Sequence, residues 1–180
     1  MHPSHLWRPG RPAPILRAHS LAKHRALDGY LRRYVAAYTQ NLQVRHLSLT
    51  VVEGFAGGNF YRDEITGEHR HGSPGVILDA LAEAAAVVQA RRTERFHFAD
   101  RYFFVEKDQG AYLSLKRSIA ESVHAPRVGQ EIELIHDEFG KCLPRIFTEI
   151  KKRPGNERSL FILDQCGYKD VPFQIIYFIH

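Results

Sequence analysis

The stretch Val51-Val52-Glu53-Gly54-Phe55-Ala56-Gly57-Gly58-Asn59-Phe60 constrains this chain more than any other. An apolar run ends in an acid and turns at once through a glycine-rich segment. In an open α/β sheet, ligands sit in the crevice beyond the carboxyl ends of the strands. Glycines at such a turn let the backbone approach a ligand with no Cβ in the way. An acid at the strand tip accepts hydrogen bonds from an amine or a hydroxyl. The spacing is Gly-x-x-Gly-Gly rather than the Gly-x-Gly-x-x-Gly of dinucleotide-dependent dehydrogenases, which argues against that class.

The rest of the sequence supplies the frame for such a turn. Residues 1–19 are rich in Pro, Arg and His and read as an irregular basic arm. Ser20 is a candidate cap for a helix whose apolar face carries Leu27, Tyr30, Leu31, Tyr34, Val35 and Tyr38. His46 to Val52 reads as a buried strand. Residues 61–72 are polar, contain Gly67 and Gly72, and read as a loop. Ser73-Pro74 is a helix-start signal, with Ser as the cap and Pro at the first helical position. Gly75 to Arg92 follows as an alanine-rich helix. Tyr102 to Glu106 is a second strand, Asp108 to Ser122 a helix, and Glu131 to Ile135 a third strand. Phe139 to Lys152 is a helix interrupted by Pro144. Arg153 to Arg158 reads as a turn, Leu160 to Asp164 as a fourth strand, and Val171 to His180 as the start of one more helix. Alternating helices and strands predict a mostly parallel sheet with helices on both faces, in a single domain over residues 20–180.

Composition excludes several classes. With 180 residues, the chain is long enough for one domain with its own core. No apolar run approaches the roughly 20 residues of a membrane helix, so no membrane partner is expected. The proline-broken basic N-terminus does not read as a secretory signal. Two cysteines, Cys142 and Cys166, are too few for a disulfide framework or a four-cysteine zinc site. A reducing cytoplasm is the expected setting. A formal net charge of +5 and a pI near 9.3 favour a polyanionic partner such as nucleic acid.

Glu53, Glu106, Asp137 and Asp164 each stand at or just beyond the carboxyl end of a predicted strand. In a parallel sheet all four line one edge. That edge is then acidic in a basic protein and suits a ligand bearing positive charge and hydroxyls. Unpaired carboxylates are costly to bury, so these must meet solvent, cations, a ligand or a helix N-terminus, where acids are favoured.

Taken together, these residues resemble a known family. Trp7, Lys23-His24 with Leu27 and Tyr30-Leu31, Glu53-Gly54-Phe55-Ala56-Gly57-Gly58, Gly72-Ser73-Pro74, Phe104-Val105-Glu106-Lys107-Asp108 and Leu163-Asp164-Gln165-Cys166-Gly167-Tyr168 are similar to the three-Cys-motif partner proteins (TcmP). Those proteins look like class I S-adenosylmethionine-dependent methyltransferases. The resemblance implies a Rossmann-like methyltransferase-type fold and a bacterial or phage setting beside a three-Cys-motif protein. A full methyltransferase sheet has seven strands, so with about four present the domain is expected to be C-terminally truncated, with an unpaired edge. Carried over, the resemblance implies that Glu53, Gly54, Phe55, Ala56, Gly57 and Gly58 hold the methionine end of the cofactor. It implies that Glu106 takes the ribose hydroxyls and that Asp137 lies beside the adenine. Asp164 and Tyr168 then face the methyl acceptor. The segment Asp164-Gln165-Cys166-Gly167-Tyr168 lacks the two prolines of the Asp-Pro-Pro-Tyr stretch of amino-methyltransferases and places its aromatic one position late. A DNA-adenine acceptor is therefore not implied. Cys166 lacks the preceding proline of cytosine-C5 enzymes and reads as a packing residue.

Other chemistries find little footing. His69-x-His71 lacks a third metal ligand. Ser73 lacks a nucleophile elbow, and no Walker-type loop is present. Two functions remain open: a methyltransferase-like enzyme acting with nucleic acid, and a non-catalytic module serving a three-Cys-motif partner.

Overall fold

A computed structural model describes residues 7–8, 11–153 and 157–164. The elements are β1 (Ile15–Leu16), α1 (Ala18–Tyr38), β2 (His46–Glu53), β3 (Phe60–Asp63), β4 (His69–His71), α2 (Ser73–Ala90), β5 (His97–Val105), α3 (Gln109–Ala120), β6 (Ile132–Ile135), α4 (Phe139–Lys151) and β7 (Glu157–Ile162). Four strands form a wholly parallel sheet in the order β6-β5-β2-β7. The chain order is thus third, second, first, fourth, and the winding reverses at β2. In such open sheets the reversal opens a crevice at the strand carboxyl ends. The expected α/β fold, a parallel sheet flanked by helices, is what the structure has.

Alternation along the strands decides which helices cover which face. Leu47, Leu49, Val51, Tyr102 and Phe104 join a core with Leu31 and Val35 of α1, Ile77, Leu78 and Leu81 of α2, and Leu115 and Ile119 of α3. Val52, Phe103 and Val105 face the other way, against Phe139, Cys142, Leu143 and Ile146 of α4. Tyr102, Phe103 and Phe104 are fully buried, each worth about 2 kcal/mol of apolar transfer. The central β2 is buried at every position after His46, as a strand covered on both faces must be. By length and composition α2 is apolar enough to cross a membrane. Its Ile77, Leu78, Leu81 and Val88 pack into the core with α1 and the sheet.

Several predicted boundaries are corrected. The segment read as an irregular arm contains β1, which pairs in parallel with β3 (Ile15 with Arg62). That anchor starts α1 early: Arg17 is the N-cap, and Ser20 lies inside the first turn. The segment read as a loop over 61–72 is largely a hairpin of β3 and β4. Asp63 shapes its turn, with Oδ1 accepting from the backbone N–H groups of Ile65 (2.9 Å) and Thr66 (3.0 Å). Gly72, not Ser73, is the N-cap of α2. β5 starts at His97, five residues before the predicted strand, and β7 starts at Glu157 rather than Leu160. α4 continues past the exposed Pro144. Tyr30 is 55% exposed and leaves the predicted apolar face. Cys166, Tyr168 and the helix expected over Val171–His180 lie outside the described residues.

Candidate functional site

The carboxyl ends of the four parallel strands bring the predicted acids to one edge. Glu53 is the last residue of β2, Glu106 follows β5 directly, and Asp137 and Asp164 lie two residues beyond β6 and β7. The register aligns these ends, pairing Glu53 with Phe104 and Ile162, and Val105 with Ile135. A hollow of about 300 Å³ opens there, lined by Gly54, Phe55, Glu106, Lys107 and the Asp137–Lys141 segment.

Glu106 and Asp137 line this hollow, whereas Glu53 and Asp164 do not; of the four acids Glu53 is the unusual one. It is 2% exposed, and its Oε2 has no hydrogen-bond partner among the described residues. Burial raises its pKa to about 8, the nearby charges of Asp164 and Glu106 push in the same direction, and a hydrogen bond from Ser73 offsets part of the rise. A buried carboxyl with an open oxygen attracts a cationic or hydrogen-donating group.

The other acids are partly engaged. Glu106 clasps the glycine turn: Oε2 accepts from Gly57 N–H (2.8 Å) and Oε1 from Asp108 N–H (2.7 Å). Each oxygen keeps a lone pair. Asp108 in turn caps α3, accepting from Ala111 N–H at 2.8 Å. Asp137 is exposed and accepts from Glu138 N–H at 2.8 Å, just before α4. Asp164 is half-exposed and binds Lys23 Nζ at 2.7 and 2.9 Å, joining the end of β7 to α1. His24 beside it has its pKa lowered, chiefly by burial and against the pull of Asp164.

The glycine segment serves two different neighbours. Gly54 N–H bonds Ile162 O (3.1 Å) and Ala56 N–H bonds Val105 O (2.9 Å), so the chain steps across the sheet edge from β7 to β5. A Cβ on Gly54 would lie 2.9 Å from Leu163 and Phe139. Phe55 is half-buried, its ring tilted against that of Phe139 at 6.0 Å. The bare faces of Gly57 and Gly58 are turned to Trp7: a Cβ on Gly58 would sit 2.4 Å from the indole. Trp7 Nε1–H donates to Phe60 O at 2.8 Å, and its ring meets Tyr61 edge-on at 5.1 Å. The missing side chains at 57 and 58 are therefore filled by the arm.

Trp7, Lys23 and Asn59 carry parts of this site that charge and spacing did not single out. Asn59 is 1% exposed with φ +55°. Its Oδ1 accepts from Gly75 N–H (2.8 Å) in the first turn of α2, and its Nδ2 donates to Ser118 Oγ (3.0 Å) of α3. Its place after two glycines in a tight turn was the available signal. His69 stacks on Phe60 at 4.5 Å, while His71 and the buried His124 meet Asp79 at 3.6 and 2.9 Å. Among the described residues no group of three or more His, Cys, Asp or Glu is arranged to hold a metal ion. No protein-family model matches the chain, and no curated protein matches it.

Proposed function

We propose that this chain is an S-adenosylmethionine-dependent methyltransferase-like protein of the three-Cys-motif partner kind, working in a reducing cytoplasm on a nucleic-acid acceptor. The observation that carries the reading is the buried Glu53 carboxyl with its open oxygen at the reversal point of the sheet. When bound, the cofactor supplies an electrophilic methyl group on a sulfonium. In this reading Glu53 pairs with its ammonium, and the backbone from Gly54 through Phe55, Ala56, Gly57 and Gly58 bounds the methionine end. The remaining lone pairs of Glu106 take ribose hydroxyls, and Asp137 borders the adenine. Asp164 faces the acceptor, together with Tyr168, which lies outside the described residues. Methyl transfer then needs mainly alignment and exclusion of water.

Trp7 favours a second reading. Because it fills the faces of Gly57 and Gly58, the turn can be an internal packing device, and the chain a non-catalytic module serving a three-Cys-motif protein. Calorimetry with S-adenosylhomocysteine separates the two. Binding at pH 7 should release a proton as Glu53 ionises against the ligand ammonium, so the heat should vary with the ionisation enthalpy of the buffer. Glu53→Gln should abolish that dependence, and Glu106→Ala should weaken binding at least tenfold. Absence of heat at millimolar ligand would leave the interaction module, and binding of NADH instead would point to a dehydrogenase.

A further inference from the structure

A second hollow, of about 380 Å³, lies between the N-terminal arm and α3 and shares no lining residue with the crevice. Its size is at the low end of ligand-binding clefts, which run from about 300 to 1,000 Å³. Its apolar surface comes from Trp7, Phe60 and Leu113, the last two 37% and 50% exposed. Pro12 and Pro14 form one wall and restrict the arm's backbone. The stack of Phe60 on His69, at 4.5 Å and 22°, adds a second ring to Phe60. Around this floor stand Arg8, Arg11 and Arg117 against one acid, Glu121.

Arg117 is committed to Glu121 at 2.8 Å. Arg8 and Arg11 are exposed, and their side chains have no partner among the described residues. Exposed guanidiniums over an aromatic floor match a phosphate backbone whose bases are free to stack, the usual means of holding single strands. A duplex keeps its bases stacked inside and offers only its phosphates to such a floor. Glu121 decides the sugar. A carboxylate gains nothing from phosphate but accepts a hydrogen bond from a 2′-hydroxyl, which marks RNA. Ser118 Oγ accepts from Asn59 Nδ2 and keeps its own proton to donate.

We infer that the groove between the N-terminal arm and α3 binds single-stranded RNA, with Arg8 and Arg11 on its phosphates, Trp7 and Phe60 under its bases and Glu121 on a 2′-hydroxyl. The inference uses none of the acids at the strand ends and stands whether or not the crevice binds a cofactor. The chain has one tryptophan, Trp7, so its fluorescence reports on this groove. Titration of the full chain with an oligouridylate, without cofactor, should quench Trp7 saturably. In the Arg8→Ala/Arg11→Ala variant the slope of log affinity against log salt should shrink by about 1.4, roughly 0.7 for each lost single-strand phosphate contact. Glu121→Gln should reduce the preference for the oligouridylate over its deoxy counterpart. No quenching, an unchanged salt slope in the double variant, or equal affinity for the deoxy strand in the unsubstituted protein would overturn the assignment.

Discussion

Asn59 shows how much of a site can depend on one side chain. It holds a left-handed backbone, and its amide ties the glycine turn to the start of α2 and to α3. Asn59→Ala removes both bonds, leaves Gly75 N–H without its partner, and places a Cβ residue with less tolerance for positive φ. A loss of roughly 2–4 kcal/mol is expected, read as the urea midpoint at constant slope. Asn59→Gly keeps the backbone at ease and should recover about 1 kcal/mol of that loss. At this scale the sequence was legible where chemistry is intrinsic to a residue type. Acids at strand ends and glycines at a turn can be read because few positions suit them. The partner of a glycine cannot be read, because the missing Cβ is blind to what fills the space. The reading gave the faces of Gly57 and Gly58 to a ligand, and the structure gives them to Trp7 from 50 residues upstream.

Among the elements, β2 and β7 share a buried polar seam. Arg153 Nη1 donates to Thr50 Oγ1 (3.0 Å) and to Glu157 Oε1 (2.9 Å), and Thr50 also hydrogen-bonds Glu157. The Glu157 side chain is 5% exposed, and its Oε2 has no partner among the described residues. Arg153→Met strands this carboxylate, and a loss of about 3–5 kcal/mol is expected in thermal or denaturant unfolding. Adding Glu157→Gln should restore a good part of it, and additive losses would show that the pair is not coupled. This seam explains a missed boundary: Glu157 and Arg158 fell in the segment read as a turn because polar side chains carry no strand pattern, yet Glu157 is partnered inside while Arg158 and Ser159 stay exposed. The hairpin of β3 and β4 was hidden for the opposite reason. Only Asp63 among its strand residues is buried, so no apolar alternation marks it. Strands that bury an apolar face, β2, β5 and β6, were legible, as were the four α-helices of the described residues, though not the short 3-10 turn at Ala125–Arg127.

For the whole molecule, the buried Glu53 carboxyl should leave a signature in the pH dependence of stability. Glu53 titrates near 8 when folded against an ordinary 4.5 when unfolded. Between these values the folded state holds a proton that the unfolded state has released. Stability should therefore be greatest near and below pH 4.5 as far as this group is concerned, and fall as pH rises to about 8, at up to about 1.4 kcal/mol per unit. Glu53→Gln mimics the protonated form. It should raise the melting temperature at pH 8 and do little at pH 4.5, and an equal effect at both would refute a Glu53 carboxyl held protonated by burial. The sheet order that sets this crevice could be anticipated only as a parallel α/β arrangement. Which strand neighbours which depends on long-range packing that local pattern does not encode.

The same strand order has a consequence for synthesis. Thr50 of β2 meets Glu157 of β7 across a separation of 107 residues. At roughly 5–20 residues per second on the ribosome, the middle strand waits on the order of 5–20 seconds with one flank bare. Its buried Leu47, Leu49, Val51 and Val52 make that interval the moment when a nascent chain most needs a chaperone's cover.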